Sequence, residues 1–149
     1  MVSPIMLDAN DPLYSVNGVF NAIFVHGDML GDAMFYGQGA GKLPTATAVV
    51  GDVVEAVRHP HDGDMMGWSS EKLKLADYKE LKFRFFVRMK GSFTESLDKV
   101  EAVFGNIDAK VLAQVSGEFG FITEKMTEAQ YLEKAARFDN ILGMIRVRF

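Results

Sequence analysis

The 149-residue sequence has no cysteine, one tryptophan and four prolines, and no apolar run approaches the roughly 20 residues that a membrane-spanning helix needs. The missing cysteine excludes a disulfide scaffold, a thiolate metal site and a cysteine nucleophile, and it fits a reducing compartment. Positive charge is also scarce. Sixteen basic residues face twenty acidic ones, for a net charge of −4, so nothing global draws the chain to nucleic acid or anionic lipid. The opening Met1-Val2-Ser3-Pro4 lacks the charged and apolar regions of a signal peptide. These absences lead us to expect a cytoplasmic chain with no membrane or nucleic-acid partner. What is present is 48% apolar residues, too many for disorder, in a length that suits one ordinary domain or two small ones.

The charge is unevenly spread. Residues 1–68 carry a net −6 and the remainder +2, while all three histidines and all four prolines lie in the acidic part. Between the two lies His59-Pro60-His61-Asp62-Gly63-Asp64, a polar run whose proline and glycine end any preceding helix. We therefore expect one region over residues 1–62, a linker over 63–77 and a second domain over 78–149.

In the first region, residues 21–26 and 32–36 read as two short strands around the turn Gly27-Asp28-Met29-Leu30-Gly31, a hairpin. Pro44 then opens a helix in which Ala46, Val49, Val50, Val53, Val54 and Val57 repeat at helical spacing. Its apolar stripe predicts burial over most of its surface, although the region supplies little to cover it. The second region begins with a strand over 81–89. The capping-box pattern Ser92-x-x-Glu95 then starts an amphipathic helix ending at Gly105. Strands over 107–115 and 118–126 turn at Ser116-Gly117, and Thr127-x-x-Gln130 caps a helix bearing Tyr131, Leu132, Ala135 and Phe138. A strand over 141–149 closes the chain. The expected class is α+β: a partial mixed α/β region followed by a ferredoxin-like βαββαβ domain.

The motifs carry less chemistry than they promise. In Gly37-Gln38-Gly39-Ala40-Gly41-Lys42, a P-loop fails because Tyr36 and Leu43 stand where Gly and Ser or Thr are needed, and the G-x-G-x-x-G fingerprint fails at Lys42 or Pro44. A glycine-rich turn remains, opening a helix whose free N–H groups suit an anionic ligand or simply a tight turn. His59, His61 and Asp64 have metal-ligand types but no supporting cluster, so no metal is expected. Met65-Met66-Gly67-Trp68 reads as a docking or gap-filling segment. No nucleophile elbow and no pair of carboxylates poised for acid–base work is identifiable, so no catalytic residue is assigned to this chain. Lys90-Gly91-Ser92 joins a strand to a helix N-terminus, where it would either cap the helix or hold a carboxylate.

Three stretches resemble the last part of the catalytic region of bacterial homoserine dehydrogenases: residues 11–23 (DPLYSVNGVFNAI), residues 35–41 (FYGQGAG) and residues 44–52 (PTATAVVGD). The second half resembles the ACT regulatory domain that many of those enzymes carry, through Asn106-Ile107 with Gln114, then Phe121-Ile122-Thr123 and Ile145-Arg146-Val147. The resemblance implies a C-terminal portion of an NAD(P)-dependent oxidoreductase that interconverts aspartate 4-semialdehyde and homoserine. It further implies cofactor contact at Gly39 and Gly41, and catalytic residues that lie elsewhere, leaving this portion inactive alone. A homodimer or higher oligomer is implied, with a possible amino-acid effector such as threonine held by Lys90, Gly91, Ser92, Asn106 and Gln114. The family's Asp-Lys-Pro-Gly-Val-Leu-Ala loop is replaced here by Met89-Lys90-Gly91-Ser92-Phe93-Thr94-Glu95, which leaves open a domain that keeps the fold without an effector. A stand-alone amino-acid-binding or dimerisation module without catalysis is the competing expectation.

Overall fold

The computed structural model describes residues 1–60, 67, 69–111 and 115–148. The chain forms two compact units, one of Met1–Asp8 with Leu75–Phe149 and one of Ala9–Lys74.

The second of these holds the hairpin and the valine-rich helix. Strands β2 (Phe20–Gly27) and β3 (Gly31–Gln38) pair antiparallel from Phe20↔Gln38 to Gly27↔Gly31. Gly31, at φ +73°, supplies the left-handed residue that a three-residue hairpin loop needs. Across the strands Phe20 stacks on Tyr36 at 4.9 Å, and His26 Nδ1 lies 2.6 Å from the Asp32 carboxylate. Helix α1 (Lys42–Arg58) starts two residues before Pro44, which still falls in the first turn, where its missing N–H has no intrahelical partner. The expected burial of this helix is not observed. None of its residues is buried, and Val49, Val50, Val53, Val54 and Val57 are 41–75% exposed. The sequence correctly shows an apolar helix, but the described residues do not bury it.

Among the described residues, every buried side chain lies in the other unit. Its strands are β1 (Ile5–Met6), β4 (Lys82–Lys90), β5 (Asp108–Val111), β6 (Glu118–Ile122), β7 (Met126–Thr127) and β8 (Ile141–Val147), in the order β1-β8-β4-β6-β5, with β7 also pairing β4. Helices α2 (Phe93–Phe104) and α3 (Glu128–Ala135) pack on one face. Alternation in β4 sends Phe85, Val87 and Met89 to that face, where Phe119 and Phe121 of β6 meet Val100 and Phe104 of α2 and Tyr131 of α3. The strand-helix-strand-strand-helix-strand order is present, and the contacts from β8 to β5 are all antiparallel.

Four local details differ from expectation. The strand expected over residues 118–126 ends at Ile122, because buried Thr123 turns the chain: its Oγ1 accepts from Phe85 N–H at 3.0 Å and donates to the Glu124 carbonyl at 2.8 Å. Helix α3 stops at Ala135, and Phe138 reaches the core from the turn that follows. At Ser92 the side chain makes no capping bond, so the box with Glu95 does not form. The box at Thr127 does form, with Thr127 Oγ1 accepting from Gln130 N–H and Gln130 Oε1 from Thr127 N–H. Finally, β1 pairs in parallel with β8, Ile5 beside Arg146 and Met6 beside Val147, rather than belonging to a separate region.

Candidate functional site

Two groups of expected site residues lie in different units, and each is built by glycine. At the end of β3, Gly39 sits against the side chain of Asn21. A Cβ there would lie 1.8 Å from Asn21 Nδ2, so the close approach requires glycine or a moved amide. Gly41 caps α1 at φ +113°, a conformation disfavoured for side-chain-bearing residues. Its carbonyl accepts from Thr45 N–H at 3.2 Å, closing the first helical turn. No side chain caps this helix and no acidic residue occupies its first turn. The first N–H groups therefore keep the partial positive charge of a helix N-terminus, an arrangement that fits a phosphate or carboxylate.

Lys90, Gly91 and Ser92 lie between β4 and α2 at one end of the sheet. Gly91, at φ +124°, donates its N–H to the Gly117 carbonyl at 2.7 Å. Asn140 grips Lys90 twice, accepting from Lys90 N–H through its backbone carbonyl at 3.0 Å and donating Nδ2–H to the Lys90 carbonyl at 2.7 Å. The Arg88–Glu118 pair, 2.5 Å apart, flanks this end, and the Glu118 carboxylate raises the Arg88 pKa through its hydrogen bond and its charge. Asn140 was missed in the sequence; its signal is the Asp139-Asn140 turn pair before β8. Asn106 follows the far end of α2, about 18 Å of helix from Ser92, so one copy of the chain does not bring the two together. Gln114 lies outside the described residues, as do His61, Asp64, Met65, Met66 and Trp68. Of the histidines around the expected linker, His59 is described, with Nε2 3.6 Å from the Glu55 carboxylate. Among the described residues no cluster of three metal-ligating side chains occurs, and no helix is long and apolar enough to cross a membrane.

Residues 1–54, which take in β1, the hairpin and most of α1, match the sequence model of the homoserine dehydrogenase family. The homoserine dehydrogenase of Corynebacterium glutamicum is 48% identical over 90 residues, covering 59% of this chain and 20% of that protein. That of Helicobacter pylori is 30% identical over 154 residues, covering 97% of this chain and 36% of that protein. In fold, the chain is similar to the crystal structure of a homoserine dehydrogenase from Thiobacillus denitrificans, with a TM-score of 0.73 at 21% identity over 98% of this chain and 38% of that one. The chain thus spans less than two fifths of the length of these relatives, all of them oxidoreductases by name. By sequence along its first third and by fold along nearly its full length, the chain is similar to homoserine dehydrogenases.

Proposed function

We propose that this chain is the C-terminal portion of an NAD(P)-dependent homoserine dehydrogenase, in which residues 9–60 complete the catalytic region and the sheet unit is an ACT-type regulatory domain. The observation that carries this reading is α1, a valine-rich helix with no buried residue among the described ones, directly preceded by an uncapped, glycine-built N-terminus. An apolar helix of this kind is stable against an apolar partner surface, which the remaining length of its relatives would supply.

When bound, the nicotinamide cofactor supplies the hydride that interconverts aspartate 4-semialdehyde and homoserine. The contribution of this chain is positional. Gly39 and Gly41 let the backbone come close to the cofactor, and the N–H groups opening α1 orient an anionic group by charge and by hydrogen bonding. Proton transfer and substrate binding fall to residues outside this chain.

The regulatory reading is supported by the strand order β8-β4-β6-β5 with both helices on one face, the pattern of a split βαβ domain. Lys90, Gly91 and Ser92 at the start of α2 would hold an amino-acid carboxylate. Because Asn106 stands at the other end of α2, an effector touching both ends requires a second copy of the chain, which favours a homodimer. One observation favours a second reading, a binding module without catalysis: every buried apolar side chain among the described residues belongs to the sheet unit, which has its own core. Two measurements test the claims these readings make. The purified chain, mixed with homoserine and NAD(P), should show no turnover, and turnover would overturn the partial-enzyme reading. Calorimetry with threonine, isoleucine, methionine and lysine should show one of them binding if the α2 loop is an effector site, and none if the domain is structural.

A further inference from the structure

Gly39 and Gly41 stand two residues apart, and the structure gives them different reasons to be glycine. Gly41 sits at φ +113°, whereas Gly39 is not among the glycines at positive φ, so its conformation does not call for glycine. Its surroundings do. A Cβ built on Gly39 would overlap the Asn21 carboxamide, 2.8 Å from Cγ and 3.0 Å from Oδ1, while one built on Gly37 would meet nothing within 4 Å. The hairpin register explains the placement. Asn21 pairs with Gly37, so Gly37 and, two residues on, Gly39 share its face of the ribbon and put no side chain in its way. On the opposite face Phe20 stacks on Tyr36 with the ring planes 6° apart, pinning the same end of the hairpin.

We propose that Asn21 is a positioning residue of the glycine-rich turn: its carboxamide, seated over Gly39, fixes where the chain leaves the hairpin and so where the first N–H groups of α1 are presented. The inference rests on the reading of this turn as a cofactor-approach segment and adds the group that holds it in place. A run with three glycines in five residues has little of its own to restrict it, and a helix N-terminus orients an anion only as well as its N–H groups are held. The Gly41 carbonyl, accepting from Thr45 N–H, secures the helix side of the turn, and Asn21 secures the strand side. Asn21 is itself exposed, where a polar side chain costs nothing in desolvation. Gly39 is therefore bare to receive a side chain of this same chain, and not only to admit a ligand.

In the 149-residue chain, nuclear Overhauser contacts between the Asn21 side-chain NH2 and the Gly39 α protons are expected, persisting in Gly37→Ala and lost in Gly39→Ala. The functional arm uses the Helicobacter pylori enzyme carrying these 149 residues in place of its aligned segment. There Asn21→Ala should raise the KM for NAD(P) about tenfold with kcat within about twofold, because the turn holds the cofactor equally in ground and transition states. A merely structural loss would lower the apparent kcat at unchanged KM. Asn21→Ala combined with Gly39→Ala should be no worse than the worse single variant, since both remove one contact. If Asn21→Ala alters the unfolding midpoint, Asn21→Ser replaces it with the same expectation. Gly41→Val distinguishes the two ways of failing. If it raises KM and Asn21→Ala does not, the cofactor reading stands and the proposal is overturned; if neither does, both fall. Absence of the Asn21–Gly39 contact in the unsubstituted chain, or additive effects of the two substitutions, would also overturn the proposal.

Discussion

On the face of the sheet away from the helices, the ring of Phe86 lies directly over Gly120 on the neighbouring strand. A Cβ on Gly120 would come within 2.4 Å of Phe86 Cζ and 2.5 Å of Cε2. The register Phe86↔Ile122 and Arg88↔Gly120 makes the two diagonal neighbours, and the bare glycine lets the ring lie flat across β6. Gly120→Ala should therefore cost about 1–3 kcal/mol of stability in urea unfolding, from overpacking rather than backbone strain. Phe86→Leu should recover part of that loss in the double variant. Additive losses would mean that the two side chains do not compete for the same space.

The two predicted capping boxes give a second contrast. Thr127→Ala removes an observed capping bond at α3 and should cost about 1 kcal/mol. Ser92→Ala, at a position whose hydroxyl makes no capping bond to α2, should cost less than about 0.5 kcal/mol. Equal losses in chemical denaturation would contradict the observed difference between these helix starts.

Tyr131 packs against Phe85 at 4.8 Å, and burial pushes its phenol pKa upward. The folded state therefore favours the neutral phenol over the phenolate more than the unfolded state does. This contribution is fully present below the usual tyrosine range near about 10, and it is lost as pH rises through the folded pKa. Tyr131→Phe should flatten the alkaline part of the stability profile relative to wild type while leaving the neutral part nearly parallel. Parallel profiles above that range would remove Tyr131 from the alkaline loss.

The exposed surface of α1 gives a fourth expectation. Val53→Asp changes a residue that is 58% exposed, so the chain should stay folded and self-associate less in sedimentation. Met89→Ala, at a fully buried position, should cost about 2–5 kcal/mol. If Val53→Asp unfolds the chain as readily as Met89→Ala does, the helix has a cover within the chain.

Local patterns were legible wherever a short-range rule decides the outcome. The strand β4, the glycine turn of the hairpin, the helically spaced valines of α1 and the threonine box of α3 all appear where the sequence places them. The missed features depend on distant partners. Nothing within residues 2–7 announces that Ile5 and Met6 pair with a strand some 140 residues later, nor does residue spacing reveal that the hydroxyl of Ser92 leaves its helix uncapped. Thr123 reads as a strand residue until its bonds to Phe85 are known. The same holds for the sites: glycine marks both candidate loops, whereas the grip of Asn140 on Lys90 arises from tertiary convergence of residues that look ordinary in sequence.

The proposed role of this chain is that of a working part of a homoserine dehydrogenase. Its most direct test replaces the aligned segment of the Helicobacter pylori enzyme, which this chain matches over 97% of its length, with the 149 residues and measures homoserine-dependent reduction of NAD(P). The account predicts a folded chimera with homoserine-dependent turnover, sharply reduced by Gly41→Val at the start of α1. A folded chimera that binds the nucleotide but shows no homoserine-dependent turnover would contradict it.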